Sequence, residues 1–385
     1  MPLKTVSGRH ADPRKGRGAG INPEGRFENI AREAFDDGWD KQEEELPPLK
    51  THVTAEHVKS IIARNESPDI PFTQSINPYQ GCEHGCVYCY ARPTHAYRNL
   101  SPGIDFETRL FAKVNAAEKL REELSRPGYR CEVISIGANT DPYQPIEREW
   151  KITRGILAVC AEFNQPVGIV TKNAMVERDL DILAPMARKG LVNVFVSVNN
   201  LDHELARRME PRCSAPARRL QAIRAVSAAG VPVGVLVAPV VPFLNDHQIE
   251  AVLEAAWAQG ARQAGYVLMR LPWEVKDLFR DWLERNYPLK AKHVMSRVHA
   301  MRGGRDNDPE FGSRMRGTGE LAQLLAQRFK KACERLGFND DRMMRNRELD
   351  TTRFRVPARN GQLSLFDDGP RSTTHDPRST NIEGP

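Results

Sequence analysis

Between residues 73 and 271, short apolar runs rich in β-branched side chains alternate with segments of helical length, and this alternation limits the fold more than any other feature. The strand candidates are Thr73–Tyr79, Cys131–Ala138, Val167–Lys172, Val192–Val198, Val231–Val240 and Tyr266–Leu271. Helical candidates Thr108–Ser125, Lys151–Phe163, Val176–Arg188, Pro216–Ala229 and Asp246–Gln259 lie between them. Nearly continuous apolar strands have no face to give to water, so each must be covered, as in a parallel sheet wrapped by helices. Six such units are too few to close an eight-fold barrel. The expected class is α/β, a partial (β/α)6 TIM-like barrel. In barrels of this kind the working residues sit on the loops that follow the C-terminal strand ends.

The loop after the first strand candidate reads Asn77-Pro78-Tyr79-Gln80-Gly81-Cys82-Glu83-His84-Gly85-Cys86-Val87-Tyr88-Cys89-Tyr90. Cys82, Cys86 and Cys89 stand at C-x3-C-x2-C spacing, with an aromatic residue just before the last cysteine. A 4Fe–4S cluster normally takes four cysteine thiolates, so a loop offering three leaves one iron open for another ligand. Two other uses of these residues have to be weighed. Zinc binds Cys and His at similar spacings, and His84 or His95 could complete a Cys3His set. No second Cys or His pair follows at zinc-finger distance, however, and a chain this long needs no metal staple. Plain buried thiols rarely cluster in a glycine-rich turn, whereas Gly81 and Gly85 let the backbone wrap tightly around an inorganic core. The spacing is similar to the signature of the radical S-adenosylmethionine (SAM) superfamily. That resemblance implies a 4Fe–4S cluster whose open iron chelates SAM and whose electron splits it to a 5′-deoxyadenosyl radical.

Composition narrows the setting. The chain has 385 residues, enough for one large core of barrel size or two smaller ones. No apolar run approaches the ~20 residues of a membrane span, and Met1 to Arg26 contains no apolar signal core. Seven cysteines, three of them in one loop, do not form a disulfide framework. The expected location is the cytoplasm. Charge is uneven: residues 1–26 carry six Lys/Arg against two acids, residues 28–45 eight acids against two basic residues, and residues 342–359 six Arg against two acids. Basic termini can meet nucleic-acid phosphates, or serve only as solvated tails.

The expected organisation is a disordered charged leader over 1–50, the barrel over 51–290, a C-terminal extension packing on it over 291–340, and a disordered tail over 341–385. After Thr318, a plausible N-cap, a helix is expected to run to Leu336 with Leu321, Leu324, Leu325, Phe329, Ala332, Cys333 and Leu336 on its apolar face.

If a cluster holds SAM, the next strand ends must fix its amine, carboxylate, ribose and adenine. The second strand ends in Asn139-Thr140-Asp141-Pro142-Tyr143-Gln144-Pro145-Ile146-Glu147, where Asn139, Thr140 and Asp141 offer donors and acceptors. Asp-Pro also builds a turn unaided. Lys172 closes an apolar strand and needs an anionic partner such as the SAM carboxylate. Ser197 is a candidate for the ribose, and Tyr88 for packing near adenine. Arg212 could reach an anion, or be an ordinary loop arginine. Cys131, Cys160 and Cys333 read as buried small hydrophobes, whereas Cys213, in a loop, is a candidate hydrogen donor.

The cysteine loop, the Thr-Asp-Pro-Tyr-Gln-Pro-x-Glu strand end and the Thr171-Lys172 strand end together resemble radical SAM proteins of the spore photoproduct lyase-like group, over roughly residues 65–290. The resemblance implies a radical enzyme acting on DNA and an electron donor such as flavodoxin or ferredoxin. In that group a tyrosine after the last cluster cysteine and a cysteine at the second strand end return the hydrogen atom. Tyr90 matches the tyrosine, but Gly137-Ala138-Asn139 stands where the cysteine would be. Near the end of the chain, Gln362-Leu363-Ser364-Leu365-Phe366 resembles the short peptide that docks bacterial repair proteins on the replication sliding clamp. An apolar groove would take Leu365 and Phe366, with Gln362 hydrogen-bonding beside them. The leading expectation is a radical SAM enzyme acting on DNA, for lesion repair or base modification. The alternatives are radical modification of tRNA or protein, and a non-catalytic iron–sulfur DNA-binding protein tethered to the clamp.

Overall fold

The computed structural model describes residues 16–27, 49–340 and 348–357. Six parallel strands lie side by side in sequence order: β1 (Gln74–Ile76), β2 (Ile134–Ile136), β3 (Val167–Thr171), β4 (Val192–Ser197), β5 (Val233–Val240) and β6 (Gln263–Leu268). A short strand, Ala63–Arg64, runs antiparallel to β1, and β6 ends the ladder on the other side. The sheet is an open partial barrel, as the alternation predicts.

Helices α1 (Ala116–Leu124), α2 (Ile152–Phe163), α3 (Leu180–Arg188), α4 (Pro216–Ala228) and α5 (Ile249–Ala258) connect successive strands. In α2, Ile152, Ile156, Cys160 and Phe163 recur every three or four residues and are buried on one face. Within β4, Val192, Val194 and Val196 point to a fully buried face, joined in one core with Val167 and Ile169 of β3 and with Val233 and Val235 of β5. The β/α period therefore reflects, in β3 and β4, one fully buried face and a second face that is half-buried.

Three expectations need correction. The segment expected as one helix over 108–125 begins with a strand, Arg109–Lys113, that pairs with His52–Glu56 and Tyr79–Gln80 in a second, three-stranded sheet. Its Leu110 and Ala112 are buried while Phe111 and Lys113 are half-buried, the two-residue period of a strand hidden inside a helix-length stretch. The charged leader is not structureless throughout. Residues 17–20 are buried against the cysteine loop and the segment after it, because Arg17 donates to the Glu107 backbone carbonyl and the Gly18 and Ala19 amides donate to the buried Glu107 carboxylate. Likewise the tail contains an ordered stretch at 348–357. The Asp350 amide donates to Gly190 O, the Arg355 amide donates to Phe163 O, and Phe354 packs on Tyr129 with ring centroids 5.2 Å apart.

Beyond β6, α6 (Val275–Asn286) and α7 (Pro288–Ala300) extend the layer, and α8 (Gly319–Leu336) occupies the span read from the sequence. Leu325, Phe329, Ala332 and Cys333 of α8 are buried with Ala322, whereas Leu324 is half-exposed. Phe329 meets Tyr266 of β6 at 4.7 Å, and Arg328 forms an ion pair with Glu250 of α5. Among the described residues no helix is long and apolar enough to cross a membrane.

Candidate active site

The cysteine loop leaves the C-terminal end of β1 and turns twice through left-handed glycines, Gly81 at φ 77° and Gly85 at φ 66°. A Cβ at Gly81 would meet Leu110 at 2.5 Å and one at Gly85 would meet Glu107 at 2.7 Å, so no larger residue fits either turn. Arg92 gathers the loop from beneath. It donates to Cys86 O at 2.9 Å, Gly85 O at 3.1 Å and Gly103 O at 2.8 Å, and pairs with Glu107 at 2.6 Å. Glu107 in turn accepts the Gly18 and Ala19 amides at 3.0 and 2.9 Å. Cys82 and Cys86 are buried and Cys89 half-buried, and all seven described cysteines are free thiols.

The Asp-Pro-Tyr-Gln-Pro-x-Glu strand end braces this loop. Gln144 accepts the Glu83 amide at 2.9 Å and donates to Gly81 O at 3.1 Å. Asp141 accepts Tyr143 N, Thr171 Oγ1 and Lys172 N, and lies 3.4 Å from His84 Nδ1. Burial pulls the His84 pKa down, but Asp141 and the nearby Cys82 outweigh it and hold the ring well above its ordinary value. Thr140 Oγ1 donates to Tyr79 O at 2.8 Å. The buried Glu147 takes the Tyr79 hydroxyl and pairs with Arg178. Thr140 and Asp141, read from the sequence either as SAM contacts or as part of an Asp-Pro turn, have their side chains hydrogen-bonded to the protein, with Asp141 closing the turn onto the Tyr143 amide. Asn139, whose amide is held by Asn77, keeps its side chain half-buried with no hydrogen bond shown for it.

Behind the loop lies a buried polar group. The Tyr88 hydroxyl donates to Glu210, and Arg219 pairs with the same carboxylate while donating to Ser197 O at 3.0 Å. Tyr88 is therefore anchored in a core that also contains Leu205 and Met209, rather than free beside an open pocket. Lys172 faces this group. Burial lowers its pKa, but the negative charges of Glu210 and of the Cys86 and Cys213 sulfurs outweigh it and hold the pKa above its ordinary value. Cys213 Sγ lies 3.7 Å from Cys86 Sγ, and it opens onto a cavity of about 710 Å³ that Glu83, Asn173, Arg212 and Arg218 also line.

Tyr90 stands apart from these, half-exposed, with its hydroxyl on Ala138 O at the end of β2 and Arg270 5.9 Å from its ring. Arg270 Nε is buried without a hydrogen-bond partner. Two residues not singled out by the sequence reading follow β4. Asn199 Nδ2 and Asn200 Oδ1 are buried and unpartnered, although Asn245 fixes the Asn199 carbonyl at 2.8 Å. An Asn pair directly after an apolar strand was the signal available for them. Arg92, Glu107 and Gln144 carried none, since their roles appear only when distant segments meet.

The donors suit a cluster held by three thiolates. His95 Nε2 sits on Arg109 O, away from the cysteines, whereas His84 is held by Asp141 and Asn173 and also interacts with Cys82. Among the described residues no three His, Cys, Asp or Glu side chains converge on a single-ion site.

An open six-unit barrel with three cysteines on its first βα loop defines a radical SAM protein. The Radical SAM superfamily model matches residues 76–256, and the chain belongs to that superfamily. It is a radical SAM enzyme, and its cofactors are a 4Fe–4S cluster and SAM. An uncharacterised protein of Mycobacterium tuberculosis is 38% identical over 241 residues, covering 61% of this chain and 71% of the relative. One from Methanocaldococcus jannaschii is 25% identical over 213 residues, covering 55% of this chain and 76% of the relative. Among solved structures, spore photoproduct lyase complexed with dinucleoside spore photoproduct aligns at a TM-score of 0.55 and 16% identity, over 74% of this chain and 80% of that one. A variant of that lyase with bound AdoMet aligns at 0.53 and 17%, over the same shares. The fold is thus that of spore photoproduct lyase.

Proposed function

We propose that this enzyme directs its radical at nucleic acid, DNA in particular, for lesion repair or base modification. The observation carrying the reading is Arg270, whose buried, unpartnered Nε stands with Tyr90 beside the β2 strand end and suits a phosphate-bearing substrate. The dinucleoside held by the structurally similar lyase supports it.

Cys82, Cys86 and Cys89 would hold the cluster. When bound, the cluster supplies the electron that cleaves SAM to methionine and a 5′-deoxyadenosyl radical. Around it, the Lys172 ammonium is the group to take the SAM carboxylate, while Asn139, Ser197, Asn199 and Asn200 offer polar atoms for its amine and ribose. The commitments of Thr140, Asp141 and Tyr88 give them a positioning role. Tyr90 is positioned to relay a hydrogen atom at the mouth, and Cys213, beside Cys86, is the second candidate donor. The clamp-type residues Gln362, Leu363, Leu365 and Phe366 lie outside the described residues. A tether to the sliding clamp through them is part of the proposal, checked by whether Leu365→Ala with Phe366→Ala abolishes binding to the clamp.

The test is anaerobic reconstitution, then SAM and a strong reductant with UV-damaged DNA, undamaged DNA, tRNA or no addition. Deuterium transfer from labelled DNA into 5′-deoxyadenosine is the expected result. Transfer only from tRNA or protein overturns the DNA assignment. Salt-dependent DNA binding without SAM turnover replaces it with a cluster-bearing binding protein.

A further inference from the structure

Two aromatic residues at the mouth combine exposure with backbone strain. Trp273, beyond the end of β6, has φ 46° and is 63% exposed, and Phe243, beyond the end of β5, has φ 62° and is 45% exposed. A left-handed conformation is unfavourable for a residue that carries a side chain. A buried ring would recover that cost through packing, but these rings face solvent. Strain combined with presentation is the pattern of a binding site.

The surroundings of Trp273 indicate the ligand's chemistry. The Arg26 guanidinium lies over its ring at 4.2 Å, and over the rings of Phe27 and Tyr97 at 5.1 and 5.6 Å. Phe27 and Tyr97 are 5.2 Å apart at 31°, and Tyr97 is 68% exposed. Glu274 is the acid facing this group, 3.5 Å from Arg26. Phe243 repeats the arrangement, with His293 edge-on at 4.1 Å and Arg297 at 5.6 Å. These layers come from distant parts of the chain. The 16–27 segment brings Arg26 and Phe27, the helix-like turn Arg92–Arg98 brings Tyr97, and the end of β6 brings Trp273. That segment touches both the cysteine loop and α6, bridging the first and sixth units of the open barrel.

We infer that Trp273, Tyr97 and Phe27, layered on Arg26, form a stacking platform for an unpaired nucleobase, so that the nucleic acid reaching the mouth is single-stranded or locally opened. The inference rests on the nucleic-acid reading above and specifies the form of that substrate. Every base has a π-face that continues a guanidinium–ring stack, and arginine adds charge for the phosphates. An apolar peptide would use the rings but gain nothing from the guanidinium layer. In a closed duplex the faces of the bases are already stacked.

The experiment uses the full-length reconstituted enzyme and a short fluorescein-labelled oligothymidylate, read by anisotropy against a duplex of the same length. Trp273→Ala, Tyr97→Ala and the conservative Trp273→Phe are compared, with melting temperature and iron content reporting folding. Tighter single-strand binding, weakened roughly tenfold by Trp273→Ala or Tyr97→Ala and retained by Trp273→Phe, is expected. Tyr97 is largely exposed, so its variant keeps the test open if Trp273→Ala does not fold. Wild-type binding that neither alanine variant weakens, or equal affinity for the duplex, overturns the platform and leaves the nucleic-acid reading in place. Absence of binding to either form at low salt overturns both.

Discussion

Arg92 and Glu107 meet at 2.6 Å with neither side chain exposed, and the supports of the cysteine loop converge on this pair. On one side of the pair, Arg92 donates to the carbonyls of Gly85 and Cys86. On the other, Glu107 accepts the Gly18 and Ala19 amides of the 16–27 segment. A loop meant to keep three thiols at fixed separation would otherwise rest on glycines, the least restrained residues.

Glu107→Gln leaves the Arg92 charge buried without its counter-charge. Removing one partner of a buried pair costs about 3–5 kcal/mol. Denaturant unfolding is expected to show a loss of that order, with iron incorporation reduced. An unchanged midpoint would mean that solvent reaches the pair.

Gly18 is pressed against Gly85 O, where a Cβ would clash. Gly18→Val is expected to lift the 16–27 segment from the loop while the barrel stays folded. Limited proteolysis should then cut near residue 20 in the variant, with far-ultraviolet dichroism unaltered. Equal protection in both proteins would contradict the clash.

Cys86→Ala is expected to remove both cluster and SAM cleavage, whereas Cys213→Ala, 3.7 Å away, is expected to keep the cluster. Iron content and the visible spectrum separate the two outcomes. Cleavage that persists in Cys86→Ala would reject these ligands.

The loop before α8 is tied to Asp69, which accepts the Gly312 amide at 2.7 Å and pairs with Arg314. The Gly312 hydrogen bond first, then Arg314, holds the Asp69 pKa below its ordinary value of 3.8, against the opposing effect of burial. With a depressed folded-state pKa, the contribution is complete above that value and is lost as pH falls through the lower, folded one. Hydrogen exchange at 310–316 is expected to stay slow from neutral pH to mild acid and to quicken only below the usual aspartate range. Asp69→Asn should reduce that pH dependence, the remainder coming from Asp308, which accepts the Glu310 amide and the Ser313 hydroxyl.

Much of the barrel was legible in the chain because one buried face and one half-buried face, as in β3 and β4, write a near-continuous apolar run, visible without knowing any partner. The strand Arg109–Lys113 escaped that reading because its partners, His52–Glu56 and Tyr79–Gln80, lie far off in sequence and its pattern spans only five residues. The segment 16–27 escaped it for a related reason. Composition marks it as polar and glycine-rich, and only the fold supplies Glu107 and Gly85 for it to pack on.

The site divides the same way. Three thiols on one short loop are a local property, so the sequence by itself carried the radical SAM class and named the three cysteines proposed to hold its cluster. Tertiary structure alone decided which polar groups remain free. It committed Thr140, Asp141 and Tyr88 to protein partners, joined Asn200 Nδ2 to Asn199 Oδ1 while leaving Asn199 Nδ2 and Asn200 Oδ1 without partners, and set Trp273 against Arg26. The physical reason is that a side chain's hydrogen-bonding capacity is finite, and its availability to a ligand depends on neighbours that only folding brings within reach.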